Sequence, residues 1–184
     1  MSALERIREE RIVAVLRRVP DIDDAVARLA AAGIGLIEIT LDSDGALDAI
    51  RRNPGALAGT VRTPEQVDAA VGAGAAAVVS PAFVPEVLER ARELGVPAIP
   101  GALTPTEVEA AWRAGAAMVK LFPAALGGPR YVRDLLAPLS DVPLIVTGGV
   151  DASNARAFLD AGAVAVGTSR IDEAAALVAA VSRS

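Results

Sequence analysis

The chain has one lysine, Lys120, in the run AAMVKLFPAA; the other seventeen of its eighteen Lys+Arg residues are arginines. The run is apolar and reads as a buried strand. Arginine serves most ion pairs, so a lone lysine there points to chemistry that arginine cannot do. A lysine amine can attack a ketone carbon and form an imine, whereas a guanidinium stays protonated and delocalised. Attack needs the neutral amine, which apolar surroundings such as Met118, Leu121 and Phe122 favour. The resulting iminium is an electron sink for a carbanion on the adjacent carbon, which makes carbon–carbon cleavage feasible. Such cleavage also needs a group that moves protons. The chain has no His and no Cys. The commonest general base is therefore missing, as are a thiolate nucleophile and a soft metal site. The work falls to Asp, Glu, Lys120, Tyr131 or water.

Short β-rich runs alternate with Ala-, Glu- and Arg-rich helical ones. Strands are expected at 11–17, 35–41, 57–61, 76–81, 97–101, 118–123, 143–149 and 163–169. Helices are expected near 21–32, 44–52, 63–73, 85–94, 105–114, 129–138, 152–161 and 172–182. The phrases PDIDD, TPEQ, TPTE and DASN place a capping side chain before a helical run. Gly33, Gly74, Gly95, Gly115 and Gly162 stand where helices end. Eight βα units in 184 residues, 23 residues each, predict a compact α/β fold, a closed (β/α)₈ TIM barrel in one domain over 1–184. The fold usually takes about 250 residues, so the loops must be minimal. The alternative is an open doubly wound sheet, but no G-x-G-x-x-G follows the first strand.

Side chains alternate along a strand, and in a barrel one parity faces inward. Lys120 shares parity with Met118 and Phe122, leaving Val119 and Leu121 for the helices. Ile37, Ile39 and Leu41 form the outer set of the second strand, which turns Glu38 and Thr40 inward. Arg17 shares parity with Val13 and Val15. Thr60 and Thr147 end the third and seventh strands. Arg17, Glu38, Thr60, Lys120 and Thr147 should converge on the C-terminal mouth, where active sites of this fold lie. Glu38 is then the carboxylate that moves protons. The loops after strands seven and eight, with Thr147, Gly148 and Gly149 in one and Gly167, Thr168 and Ser169 in the other, suit a phosphate held by backbone N–H groups.

The net charge of −5 and the lack of a basic run argue against nucleic acid as the main partner. No stretch reaches the ~18 apolar residues of a membrane span without a charge or a breaker. The charged N-terminus lacks the apolar core of a signal peptide. A cytoplasmic protein acting on a small molecule is expected.

IVAVLR, IEITL, AGTV, VVSP, IPGALTPTE, VKLFPA and VTGGV occur in this order. Together they resemble the 2-keto-3-deoxy-6-phosphogluconate (KDPG) aldolases and their 4-hydroxy-2-oxoglutarate (KHG) and phosphogalactonate relatives, over roughly residues 7–170. The resemblance implies a class I lyase without metal or other cofactor on a (β/α)₈ barrel, usually a homotrimer. It implies that Lys120 forms the Schiff base and Glu38 shuttles protons. Thr60 resembles a ligand of the pyruvate carboxylate, and Arg17 matches an arginine of some members. Pro81 and Phe122 resemble wall residues beside the imine. Three differences stand out. Asp42 occupies a position where some members carry Arg, which shifts carboxylate binding onto Arg17 and Thr60. LAGTV replaces the more frequent GAGTV. The end, AVGTSRIDEAAALV, shortens the second half of the phosphate site. The leading expectation is cleavage of KDPG to pyruvate and glyceraldehyde 3-phosphate. The alternatives are an aldolase for an unphosphorylated 4-hydroxy-2-oxo acid, a weakly active trimeric barrel kept for binding or assembly, and a phosphate-binding isomerase or synthase.

Overall fold

A computed structural model describes residues 1–182. Nine parallel strand segments follow one another: β1 (Ile12–Leu16), β2 (Ile37–Thr40), β3 (Leu57–Gly59), β4 (Ala77–Val79), β5 (Ala98–Ile99), β6 (Gly101–Ala102), β7 (Val119–Leu121), β8 (Leu144–Thr147) and β9 (Ala165–Thr168). Their order is β5-β4-β3-β2-β1-β9-β8-β7-β6. The two ends of that list, β5 and β6, are halves of one stretch, so the sheet curls into an eight-staved α/β barrel. The expected fifth strand, 97–101, is thus broken. Pro100 has no N–H for the ladder, but its carbonyl still accepts the Lys120 N–H at 2.9 Å.

Helices α2 (Ile22–Ala31), α3 (Ala46–Arg52), α4 (Pro64–Gly72), α5 (Pro85–Glu93), α6 (Pro105–Arg113), α7 (Gly128–Leu136), α8 (Ala155–Asp160) and α9 (Ala174–Ser182) cover the outside. Asp21, Thr63 and Thr104 cap α2, α4 and α6 by accepting a backbone N–H. The five expected terminal glycines all take positive φ. DASN behaves otherwise: α8 begins only at Ala155, because Asp151 draws in the Ser153 N–H and hydroxyl and so ties the loop into its own turn.

Helix α1 (Ala3–Glu10) was not among the expected helices. Ser2 and Glu5 cap it reciprocally. Its Ile7 is fully buried with Val13, Leu36, Leu57, Val79, Ile99, Met118 and Ile145, one inward residue from nearly every stave. The helix therefore plugs the N-terminal end of the barrel, and solvent reaches the interior from the other end. The opposite parity, with Ile37, Ile39, Val119, Leu121, Leu144 and Val146, packs against the helices. Among the described residues no helix is long and apolar enough to cross a membrane.

Candidate active site

Two residues beyond the apolar layer, each strand presents its next inward side chain. Leu36, Leu57, Ile99, Met118, Ile145 and Ala165 give way to Glu38, Gly59, Gly101, Lys120, Thr147 and Gly167. The three glycines make room for neighbours, Glu38 at Gly59, the Pro81 carbonyl at Gly101 and the Thr147 side chain at Gly167. Beside them lies a cavity of about 230 Å³ lined by Val15, Arg17, Lys120, Phe122, Thr147, Gly148, Gly167 and Ser169.

Lys120 is 4% exposed and Glu38 2%. The Lys120 ammonium donates to Glu38 Oε1 at 3.4 Å and lies 5.6 Å from the centre of the Phe122 ring. Neighbouring strands hold the two: Lys120 pairs with Gly101 and Ile145, Glu38 with Val15 and Leu57. The carboxylate can bend toward Lys120 because Gly59 lacks a side chain. A Cβ there would stand 2.3 Å from Glu38 Oε1 and 2.7 Å from its Cγ. Gly167 makes similar room for Thr147, whose Cγ2 would lie 2.5 Å from an added Cβ. The Thr147 hydroxyl is buried and has no hydrogen-bond partner among the described residues.

Thr60 reaches the mouth by an unusual route. Alternation puts it on the outer side with Ala58, but its φ of 59° turns the chain left-handed. Its hydroxyl there accepts from the Arg17 guanidinium at 3.3 Å. Asp42, the acidic departure, faces away from the cavity and pairs with Arg18 at 3.2 Å. Arg17 and Arg18 thus divide, one to the cavity and one to the rim.

The structure does not gather every expected residue. Gly148 lines the cavity against the Phe122 ring, whereas Gly149 packs on Ala125 beyond it. Pro81 turns its carbonyl onto Gly101 at the rim and does not line the cavity. Thr168 points away: it shares parity with buried Val166, and its hydroxyl donates to the Val150 carbonyl at 2.7 Å. It ties two loops together, leaving Ser169 at the mouth. Val15 and Gly59 complete the site without having been singled out. Alternation from Arg17 identifies Val15, but nothing in the sequence alone marks Gly59.

A buried amine beside a buried carboxylate, open to a small pocket with an arginine, can form an imine with a 2-oxo acid and move protons around it. The KDPG and KHG aldolase family model matches residues 4–180. A curated 2-dehydro-3-deoxy-phosphogluconate aldolase from Haemophilus influenzae is 38% identical over 165 residues, 85% of this chain and 78% of that one. A solved 4-hydroxy-2-oxoglutarate and 2-dehydro-3-deoxyphosphogluconate aldolase from TTHB1 is 33% identical, covers 99% of this chain and 100% of its own, and superposes with a TM-score of 0.88. A solved KDPG aldolase from Legionella pneumophila, with pyruvate captured at low pH as a covalent carbinolamine, is 25% identical with a TM-score of 0.84 over 98% of this chain and 97% of its own. The chain belongs to the KDPG and KHG aldolase family and is a carbon–carbon lyase.

Proposed function

We propose that this chain is a class I aldolase that cleaves KDPG to pyruvate and glyceraldehyde 3-phosphate through an imine on Lys120. One observation carries this reading: the only lysine is buried 3.4 Å from a buried carboxylate, at the floor of the cavity. The Lys120 ammonium passes a proton to Glu38, the neutral amine adds to the C2 ketone, and Glu38 returns that proton to the departing oxygen, so that water leaves and the iminium remains. Glu38 then takes the proton of the C4 hydroxyl as the C3–C4 bond breaks. The C3–C4 electrons flow into the iminium and form an enamine, and the aldehyde departs. Protonation at C3 and hydrolysis release pyruvate and the free amine. The iminium supplies the electron sink, so this route needs no metal. Arg17 and Thr60 face the position of the C1 carboxylate. Gly148 and Ser169, which line the cavity, are assigned to the distal group. The captured carbinolamine of the Legionella pneumophila relative supports the covalent route.

An unphosphorylated 4-hydroxy-2-oxo acid is the second reading. It is favoured by the cavity lining, where among the described residues Arg17 is the one cation beside Lys120 and Thr168 is turned away. Comparing kcat/KM for the phosphorylated and unphosphorylated substrates separates the two. The homotrimer and the cytoplasmic location implied by the resemblance are part of the proposal, and sedimentation at working concentration tests the former.

Borohydride trapping with pyruvate tests the chemistry, because Lys120 and the N-terminus are the only aliphatic amines in the sequence. A reduced pyruvate adduct on Lys120, lost together with activity in Lys120→Arg, is expected. Wild-type turnover by Lys120→Arg, or no adduct on folded wild-type protein, would overturn the proposal.

A further inference from the structure

The residues that flank Arg17 are tied down on both sides by two buried hydroxyls, one at the end of β2 and one in the turn after it. The Leu16 carbonyl accepts from Thr40 Oγ1 at 3.2 Å. The Arg18 N–H donates to Ser43 Oγ at 2.8 Å. The two hydroxyls lie 3.0 Å apart. A carbonyl only accepts and an amide N–H only donates, so the direction of the whole chain is fixed. Arg18 N–H donates to Ser43, the Ser43 hydroxyl donates to Thr40, and the Thr40 hydroxyl donates to the Leu16 carbonyl. No proton is left over, and neither hydroxyl is free for substrate, since Thr40 and Ser43 are 0% and 7% exposed. Arg18 meanwhile sits at a φ of 50°, a conformation that residues with a side chain avoid. Its side chain is held outward by Asp42 at 3.2 Å. The segment 40–43 thus grips the exit of β1 by three contacts. The residue left between the gripped groups is Arg17, whose guanidinium then meets Thr60 at the cavity.

We infer that Thr40 and Ser43 are positioning residues for substrate recognition: their hydroxyl chain stabilises the strained turn at Arg18 and so aims Arg17 at the carboxylate of the 2-oxo acid. This rests on the reading that Arg17 takes that carboxylate. The hydroxyls themselves touch no substrate. Their loss should weaken the binding of carboxylate-bearing ketones and spare the imine chemistry.

The experiment measures the concentration of ketone that half-saturates borohydride trapping at Lys120, read by intact mass spectrometry, with pyruvate and with acetone. Acetone forms the same imine but has no carboxylate. Arg17→Met is the reference and should raise the pyruvate value by roughly ten- to hundredfold, the scale of a charged hydrogen bond. Ser43→Ala should raise it by roughly three- to tenfold and leave the acetone value within about twofold. Ser43→Ala added to Arg17→Met should add less than about twofold, because the two act through one contact. Thr40→Val should behave like Ser43→Ala, and either variant suffices if the other does not fold. Ser43→Thr, which keeps a hydroxyl, should restore the wild-type value. Equal shifts for pyruvate and acetone, or no shift in Ser43→Ala and Thr40→Val while Arg17→Met weakens pyruvate, would overturn this proposal alone. No effect of Arg17→Met would overturn the reading of Arg17 and the proposal with it.

Discussion

Gly59→Ala tests whether the missing side chain at the end of β3 is what places the carboxylate proposed to move protons. Gly59 lies in an extended strand, so its backbone accepts alanine without strain. The new methyl would stand 2.3 Å from Glu38 Oε1, 2.7 Å from Cγ and 2.8 Å from Cδ. Ordinary contact begins at 3.4 Å, so the carboxylate must retreat by about one ångström. The obstacle is the Glu38 side chain from Cγ outward, which can turn about its own torsions without shifting backbone. The cost therefore falls on geometry more than on folding. Alanine also narrows the unfolded ensemble, worth about 0.4–1 kcal/mol in favour of the fold. For a chain of this size 1 kcal/mol moves Tm by about 2–4 °C. Tm should therefore stay within about 5 °C of wild type. A misplacement of one ångström at the chemistry costs on the order of 10²-fold in rate. We expect kcat to fall by about that factor, measured by coupling pyruvate formation to a dehydrogenase, with trapping at Lys120 still detectable. Wild-type turnover would show that Glu38 needs no such berth. A drop in Tm of ten degrees or more would show that Gly59 serves the fold instead.

Glu38→Gln should lower kcat by roughly 10²–10⁴-fold, the range of a general acid–base group; an unchanged rate would remove Glu38 from its role. Thr147→Val keeps the shape and deletes a buried hydroxyl without a partner among the described residues. Thermal melting should be unchanged or higher, since such a group costs about 1–3 kcal/mol, while kcat/KM falls if the hydroxyl meets substrate; an unchanged kcat/KM refutes that contact. The Glu107 carboxylate accepts the N–H groups of Thr104 and Leu103 at 2.8 Å, which hold its pKa below the usual 4.5. A depressed folded-state value stabilises above the unfolded pKa, and the benefit fades as pH falls through the folded value. Glu107→Gln should therefore lose less Tm than wild type between about pH 5 and pH 3; parallel losses would place the acid sensitivity elsewhere.

Lys120, Glu38 and Thr147 were legible in the sequence because alternation is a strict property of strands, and their neighbours Met118, Leu36 and Ile145 sit in the apolar layer beneath them. Alternation alone fails at Thr60, which a left-handed turn carries to the mouth from the outer parity. The same rule applied to the last strand puts Thr168 with Val166, away from the mouth, where the structure finds it; the motif alone had drawn it to the anion. Helix α1 carries a readable S-x-x-E cap at Ser2 and Glu5. Its task of closing the barrel floor was hidden, since one buried Ile7 among charged neighbours shows no wide apolar face. Gly59 and the Thr40–Ser43 chain were not legible. Their meaning depends on atoms more than twenty positions away, Glu38 for one and Leu16 with Arg18 for the other.

Stability and chemistry occupy successive layers of one barrel, about 6–7 Å apart along each strand. The lower layer is filled by α1 and aliphatic side chains; the upper, where Gly59 and Gly167 make room for Glu38 and Thr147, holds a buried ion pair. Such a pair contributes little net stability, because desolvation offsets much of the attraction. Surface pairs such as Arg28–Asp172 and Arg90–Asp68 use arginine throughout. What distinguishes the buried pair is its course through the proposed reaction. There the ammonium of Lys120 is a cation facing Glu38, and the iminium that replaces it is again a cation facing Glu38. The covalent step therefore leaves the buried charges balanced, and the carboxylate is not stranded without a partner when the carbon–carbon bond breaks. An arginine at 120 could supply the charge but not the bond, and an uncharged nucleophile could supply the bond but not the charge. Lysine supplies both.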